Sequence, residues 1–351
     1  MASSEAKPLP IIIAHRGASG YRPEHTLESY KLAIEMGADF IEPDLVMTKD
    51  GVLIARHENE ISTTTNVTDH PEFASRKTIK TIEGEIHTGW FTEDFTLAEL
   101  KTLKAKERLP DLRPKNTLFD NKLDILTLEE IIVFARQQSN LNKRKIGLYI
   151  ELKHPTYFND IGLPMEDSFL AILEKNDLNS QTPDLPVFIQ CFWPHTLQKI
   201  RDKTPLPLIL LLATTPPDHS VLETLNISKW EETFEPNHLK FISNFCDGIG
   251  PDLSLVFPAT TDTTQPTESK LIQNAHAANL KVHVWTLRAE NAMLPHKYRI
   301  GPEGDASNAT SFGNLVDLTQ DLVSAGIDGF FTDHTDIVFK ALKSFSTSSK
   351  P

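Results

Sequence analysis

His15-Arg16-Gly17, Glu42-Pro43-Asp44, His57-Glu58 and Glu151-Leu152-Lys153 are the residues of this chain whose types and spacing could do chemistry. Glu42 and Asp44 are two positions apart, as are Glu151 and Lys153, and in an extended strand such pairs point to one face. Three gathered carboxylates repel one another and need a cation. An all-oxygen donor set of Glu42, Asp44 and Glu151 suits a hard ion such as Ca2+ or Mg2+. Arg16 offers a phosphate a planar fork and Lys153 a point charge. His15 and His57 suit a general acid and a general base, because an imidazole titrates near neutrality. A metal site, an anion clamp and two proton-transfer groups together describe cleavage of a phosphoester. Gln190 and Trp285 also stand at expected strand ends, where an amide could meet substrate oxygens and an indole the substrate's carbon skeleton. Taken singly, each of these residues has an ordinary reading as a solvated carboxylate, a turn or a structural histidine. What sets the group apart is its joint placement at the ends of strands.

The elements that must position them alternate along the chain. Ile11 to Ala14 is a short β-branched run, as expected of a strand buried on both faces. Helical spacing over 24–36 ends at Gly37, and a second strand is expected over 40–46. Lys49-Asp50-Gly51 is a hairpin turn signal, and 52–57 returns as a paired arm. Further strands are expected at 146–151, 187–191, 207–212, 247–250, 281–286 and 328–331, with helices at 165–175, 194–203, 236–244, 268–278 and 313–325. Eight strand–helix units predict an α/β fold of the TIM type, a (β/α)8 barrel that brings its strand ends to one mouth. The alternative, an open doubly wound sheet, lacks its usual glycine-rich turn.

Residues 58–126 break the rhythm. They are polar, with one short helical pattern at 97–103, and are too long for a simple loop. The expected organisation is therefore a barrel built from 10–57 and 127–343, a small inserted subdomain at 58–126 over the C-terminal mouth, and a frayed tail at 344–351. A second irregular stretch, 288–311, follows the seventh strand and is expected to form a lid edge. Three other histidines are given structural readings: His25 as a packing or cap residue, His283 as a core residue, and His154 as facing outward on the opposite parity to Lys153.

The chain has 351 residues, 39% hydrophobic and 24% charged, which is globular composition. A net charge of −13 disfavours a nucleic acid partner, so an anionic ligand needs a local pocket of cations. Two cysteines, Cys191 and Cys246, exclude a disulfide framework and read as buried thiols. No apolar run reaches membrane-spanning length. Met1 to Pro10 has no apolar leader core, so the expected compartment is the cytoplasm, or the periplasm or exterior if a signal peptide has been removed.

The motifs closely resemble the glycerophosphodiester phosphodiesterase family, particularly its bacterial periplasmic-type members. The resemblance rests on His15-Arg-Gly-Ala-Ser-Gly20, Pro23-Glu-His-Thr-Leu-Glu28, Gly37-Ala-Asp-Phe-Ile-Glu-Pro-Asp44, Thr48-Lys-Asp-Gly51 and His57. Gly89 to Leu100, Gln190-Cys-Phe192, Asp247 to Pro251, Trp285-Thr286 and Gly329 to Asp333 look like later landmarks, so the match covers roughly residues 10–343. It implies that His15 and His57 are the catalytic pair. It also implies that Glu42, Asp44 and Glu151 bind the divalent metal, and that Arg16 and Lys153 face the phosphate. The implied reaction is metal-dependent hydrolysis of a small-molecule glycerophosphodiester to sn-glycerol 3-phosphate and an alcohol. A lysophospholipase D-like lipid phosphodiesterase and a non-catalytic phosphodiester-binding barrel are the alternatives. Two positions depart from the common pattern: Glu58 stands where many members have Asp, and Arg288 ends a segment that is usually aromatic-Thr-Val-Asn.

Overall fold

A computed structural model of the chain describes residues 8–257, 270–302 and 308–348. The strands are β1 (Ile11–Ala14), β2 (Phe40–Ile41), β3 (Asp44–Met47), β4 (Leu53–Ala55), β5 (Thr78–Ile82), β6 (Glu85–Gly89), β7 (Lys104–Ala105), β8 (Leu123–Asp124), β9 (Gly147–Leu152), β10 (Val187–Cys191), β11 (Leu208–Leu212), β12 (Gly248–Pro251), β13 (Lys281–Leu287) and β14 (Gly329–Thr332). Parallel pairing runs β9–β10–β11–β12–β13–β14–β1–β2 and returns from β2 to β9, which closes a barrel. The eight expected strands form its wall, with one correction. The strand expected over 40–46 is split into β2 and β3 at Glu42 and Pro43. Pro43 has no N–H for the ladder, yet its carbonyl still accepts from the Glu151 amide at 3.0 Å, so both pieces pair with β9.

Helices cover the outside of the wall. The first spans Leu27–Glu35, three residues later than its expected start. Thr26 is the reason: its hydroxyl accepts from the Ser29 amide at 3.2 Å, making it the N-cap, while His25 before it is left-handed at φ 57°. A helix over Leu128–Asn142, outside the expected set, starts from a capping box between Thr127 and Glu130. The helix expected over 268–278 is seen as Leu271–Ala277, and the start of the expected span lies outside the described residues. The last helix, Thr335–Ser348, runs past position 344, where fraying was expected; 349–351 lie outside the described residues. Among the described residues no helix is long and apolar enough to cross a membrane. Both cysteines are buried free thiols.

Two apolar layers hold the barrel. The larger fills the space between wall and helices. The smaller is a plug of Ile13, Phe40, Tyr149, Ile209 and Phe331, from five different strands, with Phe188 packed against it. His283 belongs to this layer as expected: it is buried, and its Nδ1 lies 2.7 Å from the Tyr149 hydroxyl. The plug sets the level of everything above it. Two residues further along the same strands, on the same parity, come His15, Glu42, Glu151, Gln190, Leu211, Asp333 and Trp285.

Residues 58–126 form two small antiparallel pairs, β5–β6 and β7–β8, several 3-10 turns and a helix over Leu97–Leu100. The segment is polar in composition, but Phe73, Trp90, Phe95, Leu100 and Leu103 are buried and continuous with the main core. Burial of this kind contributes roughly 1.5–3 kcal/mol per large side chain, which anchors the segment to the barrel.

Candidate active site

Glu42, Asp44 and Glu151 lie together, with one carboxylate oxygen from each within 4.8 Å of the others. Asp44 and Glu151 are register partners across β3 and β9, and the break at Pro43 brings Glu42 to the same side. All three are buried. Each is also fixed from behind. The Arg16 amide donates to Glu42 Oε2 at 2.9 Å, and Gln190 Nε2 donates to Glu42 Oε1 at 2.8 Å. His25 Nε2 donates to Asp44 Oδ2 at 3.0 Å, and Arg16 Nε lies 3.2 Å from the same oxygen. Lys153 Nζ pairs with Glu151 Oε1 at 3.0 Å.

The electrostatics of this cluster favour a positive ion. Burial and the neighbouring Asp44 and Glu151 charges push Glu42 well above the usual carboxylate range. Burial likewise pushes Glu151 up to about 8, with Asp44 adding to it and Lys153 opposing. Burial would raise Asp44 as well, but the His25 hydrogen bond and the Arg16 charge outweigh it and hold Asp44 well below the usual range. Asp44 Oδ1 is buried without a hydrogen-bond partner. An unsatisfied oxygen among hard oxygen donors fits a divalent metal.

Both histidines stand over this cluster, each with a carboxylate on Nδ1. His15 Nδ1 donates to Asp333 Oδ1 at 2.6 Å. Asp333 Oδ2 accepts from Arg113 Nη2 at 2.6 Å and Arg288 Nε at 2.9 Å. Arg113, from the 58–126 segment, also donates to Glu290 Oε1 at 2.7 Å and to the Ser19 carbonyl at 3.0 Å. His57 follows β4, and its Nδ1 lies 2.5 Å from Glu58 Oε1 while its Nε2 lies 3.2 Å from Lys153 Nζ. Burial, with Arg16 adding to it, pushes His15 down to about 4. Burial, then Arg16 and Lys153, pushes His57 down to about 3. Both rings are therefore neutral at pH 7 before substrate arrives.

Seven of the expected site residues line one cleft: His15, Arg16, Glu42, His57, Glu151, Gln190 and Trp285. Asp44 sits behind Glu42 and Glu151, and Lys153 reaches in beside His57. Much of Arg16 is already engaged, since Nη1 also pairs with Glu24 at 3.0 Å. Trp285 donates from Nε1 to the Gly250 carbonyl at 2.6 Å and meets the Phe192 ring edge-on.

Other positions carry more than their sequence reading. His25 is no cap; it links Asp44 to the Tyr30 hydroxyl, 2.9 Å from its Nδ1. His154 does not face outward. The strand ends at Leu152 and His154 turns left-handed at φ 48°, so strand parity no longer governs it; it is buried between Glu58 and Glu83. Asp333 was within reach of sequence reasoning, two residues beyond plug residue Phe331. Arg113 and Glu83 carried no such signal.

A closed parallel barrel with buried acidic donors and two carboxylate-backed imidazoles at its C-terminal mouth defines a phosphoester hydrolase of the (β/α)8 class. The glycerophosphoryl diester phosphodiesterase family model matches residues 15–337, and the chain belongs to that family. A glycerophosphodiester phosphodiesterase of Arabidopsis thaliana is 35% identical over 93% of this chain and 84% of its own. One from Haemophilus influenzae is 28% identical over 98% of this chain and 92% of its own. The fold also matches an Oleispira antarctica phosphodiesterase solved with the product sn-glycerol 3-phosphate, at TM-score 0.60 and 22% identity, covering 95% and 97% of the two chains. A Thermotoga maritima glycerophosphodiester phosphodiesterase matches at TM-score 0.53 and 15% identity, covering 95% and 99%. The protein is accordingly an enzyme, a phosphoric diester hydrolase.

Proposed function

We propose that the protein hydrolyses glycerophosphodiesters to sn-glycerol 3-phosphate and an alcohol, with a divalent cation and two histidines. The observation that carries this reading is the carboxylate cluster of Glu42, Asp44 and Glu151 beneath two imidazoles in one cleft. The relatives' shared activity and the Oleispira product support the substrate class. Ca2+ or Mg2+ held by the three carboxylates would supply charge neutralisation and polarise the phosphate. Arg16, Lys153 and Arg288 set cations around the phosphate, and Gln190 and Trp285 line the wall where glycerol would rest.

In the reaction proposed, the glycerol hydroxyl next to the phosphate attacks phosphorus in line. His57 takes the hydroxyl proton at Nε2, because Lys153 beside that nitrogen favours the neutral ring. His15, protonated at Nε2 from solvent as the anionic diester binds, gives that proton to the departing alcohol oxygen. Asp333 behind it stabilises the charged ring, and the anionic diester raises its proton affinity. Water then opens the cyclic phosphate with the two roles reversed. The test is release of glycerol 3-phosphate from glycerophosphocholine. Release should vanish with EDTA and return with Ca2+ or Mg2+; full activity in a metal-free sample would refute the metal requirement.

A further inference from the structure

We propose that His154 and Glu83 are positioning residues for His57, acting through Glu58. The inference rests on the reading of His57 as a proton-transfer group. Glu58 holds the His57 ring by Nδ1 and turns its other oxygen to His154 Nε2, 3.2 Å away. His154 Nδ1 in turn is hydrogen-bonded to Glu83 Oε1. The chain of contacts therefore runs from His57 to Glu58, His154 and Glu83, and it crosses from the barrel into the 58–126 segment.

The backbone at both far members supports a dedicated role. Glu83 and Gly84 form the two-residue turn between β5 and β6, with φ 55° and 85°. Such turns ordinarily take Asn, Asp or Gly at the first position, because a left-handed Glu is strained. His154 is left-handed too, at φ 48°. Strain kept at two residues that bond each other points to a function for the bond. Along the rest of the hairpin Ile79 and Ile86 are 67% and 75% exposed, while Ile82 is buried, Lys80 bonds Glu93 and Asp94, and the Glu83 side chain is only 20% exposed.

The charge pattern is consistent. Burial opposes a charge on His154, but the hydrogen bonds to Glu58 and Glu83 outweigh it and raise the ring to about 9. A cationic His154 between two carboxylates leaves Glu58 an acceptor, which fixes the His57 proton on Nδ1 and leaves Nε2, beside Lys153 Nζ, unprotonated.

The experiment measures kcat and KM on glycerophosphocholine at saturating cation for Glu83→Ala, Glu83→Gln, His154→Ala and the Glu83→Ala/His154→Ala pair, each with a thermal melt. It also reads the His57 ring tautomer by 15N NMR. His154→Ala and Glu83→Ala should lower kcat about 3- to 10-fold with KM within about twofold. Glu83→Gln, which keeps an acceptor for Nδ1–H, should restore most of it. The double variant should be no worse than His154→Ala, since Glu83 acts through that ring. The His57 Nδ1–H tautomer, dominant in the native enzyme, should become mixed in both single alanine variants. A raised KM with unchanged kcat would overturn the proposal and make Glu83 a substrate contact. Native kcat and tautomer in folded Glu83→Ala would also overturn it. If the native protein releases no glycerol 3-phosphate, the functional reading fails on its own, and the tautomer measurement still decides the positioning claim.

Discussion

The two histidines are held in the same way by opposite kinds of surroundings. His15 and Asp333 have side chains 9% and 1% exposed, and two arginines, Arg113 and Arg288, clamp the carboxylate. His57 and Glu58 are 25% and 45% exposed, and the support behind them is a histidine and the tip of the β5–β6 hairpin. Both halves draw on the 58–126 segment, through Arg113 for His15 and Glu83 for His57, but the first is closed to solvent and the second is not. The difference is one of solvent access: the same carboxylate-on-Nδ1 arrangement is built once out of reach of water and once partly open to it.

The largest test of that contrast removes the rings themselves. His15→Ala and His57→Ala should each lower turnover at least ~10²-fold, and the double variant should lose less than the product of the two. A diester with a good leaving group, such as nitrophenol, needs no protonation on departure. It should restore His15→Ala far more than His57→Ala. Equal restoration would mean that the assigned roles are wrong.

A smaller effect separates the supports. Asp333→Asn leaves the buried Arg113 and the partly exposed Arg288 beside a neutral amide, so it should cost roughly 3 kcal/mol of stability and ~10- to 100-fold in kcat. Glu58→Gln, on the exposed side, should cost under about 1 kcal/mol and less than about tenfold in kcat. Denaturant melts and steady-state rates together check the pair. Comparable costs at both positions would remove the distinction between the halves.

Much of this was legible beforehand. The wall strands are mostly apolar, and β10 falls on its expected bounds while β12 is shifted by one residue. The carboxylates and histidines were readable because period-two alternation carries one face of a strand to its end. The supports were harder. Arg113 and Glu83 are single polar residues in a segment without periodicity, and each finds its partner across a long stretch of chain, which no local pattern encodes. His154 was misread because parity was extended past Leu152, where the strand stops.

The smallest effect is a pH difference. Burial works against the Asp333 charge, but Arg288 and Arg113 hold it well below 3.8, so its contribution to stability is present above 3.8 and lost as pH falls further. His154 is raised to about 9, so its contribution is present below 6.5 and lost as pH rises through 9. Acid should therefore loosen the His15 half and alkali the His57 half. The melting-temperature gap between native protein and His154→Gln, roughly 2–4 °C at pH 6, should close by pH 10; a gap constant over that range would contradict the assignment.

His15 and Asp333 are 318 positions apart, on the first and last strands of the ring, where Ile11 pairs with Gly329. The acidic donors all lie between residues 42 and 151. In order of synthesis the three carboxylates therefore precede the last strand of the ring, which brings the Asp333 carboxylate to His15. A chain without its last strand retains Glu42, Asp44 and Glu151 and lacks the carboxylate that bonds His15 Nδ1. If His15 acts as proposed, turnover requires that the first and last strands of the barrel have paired.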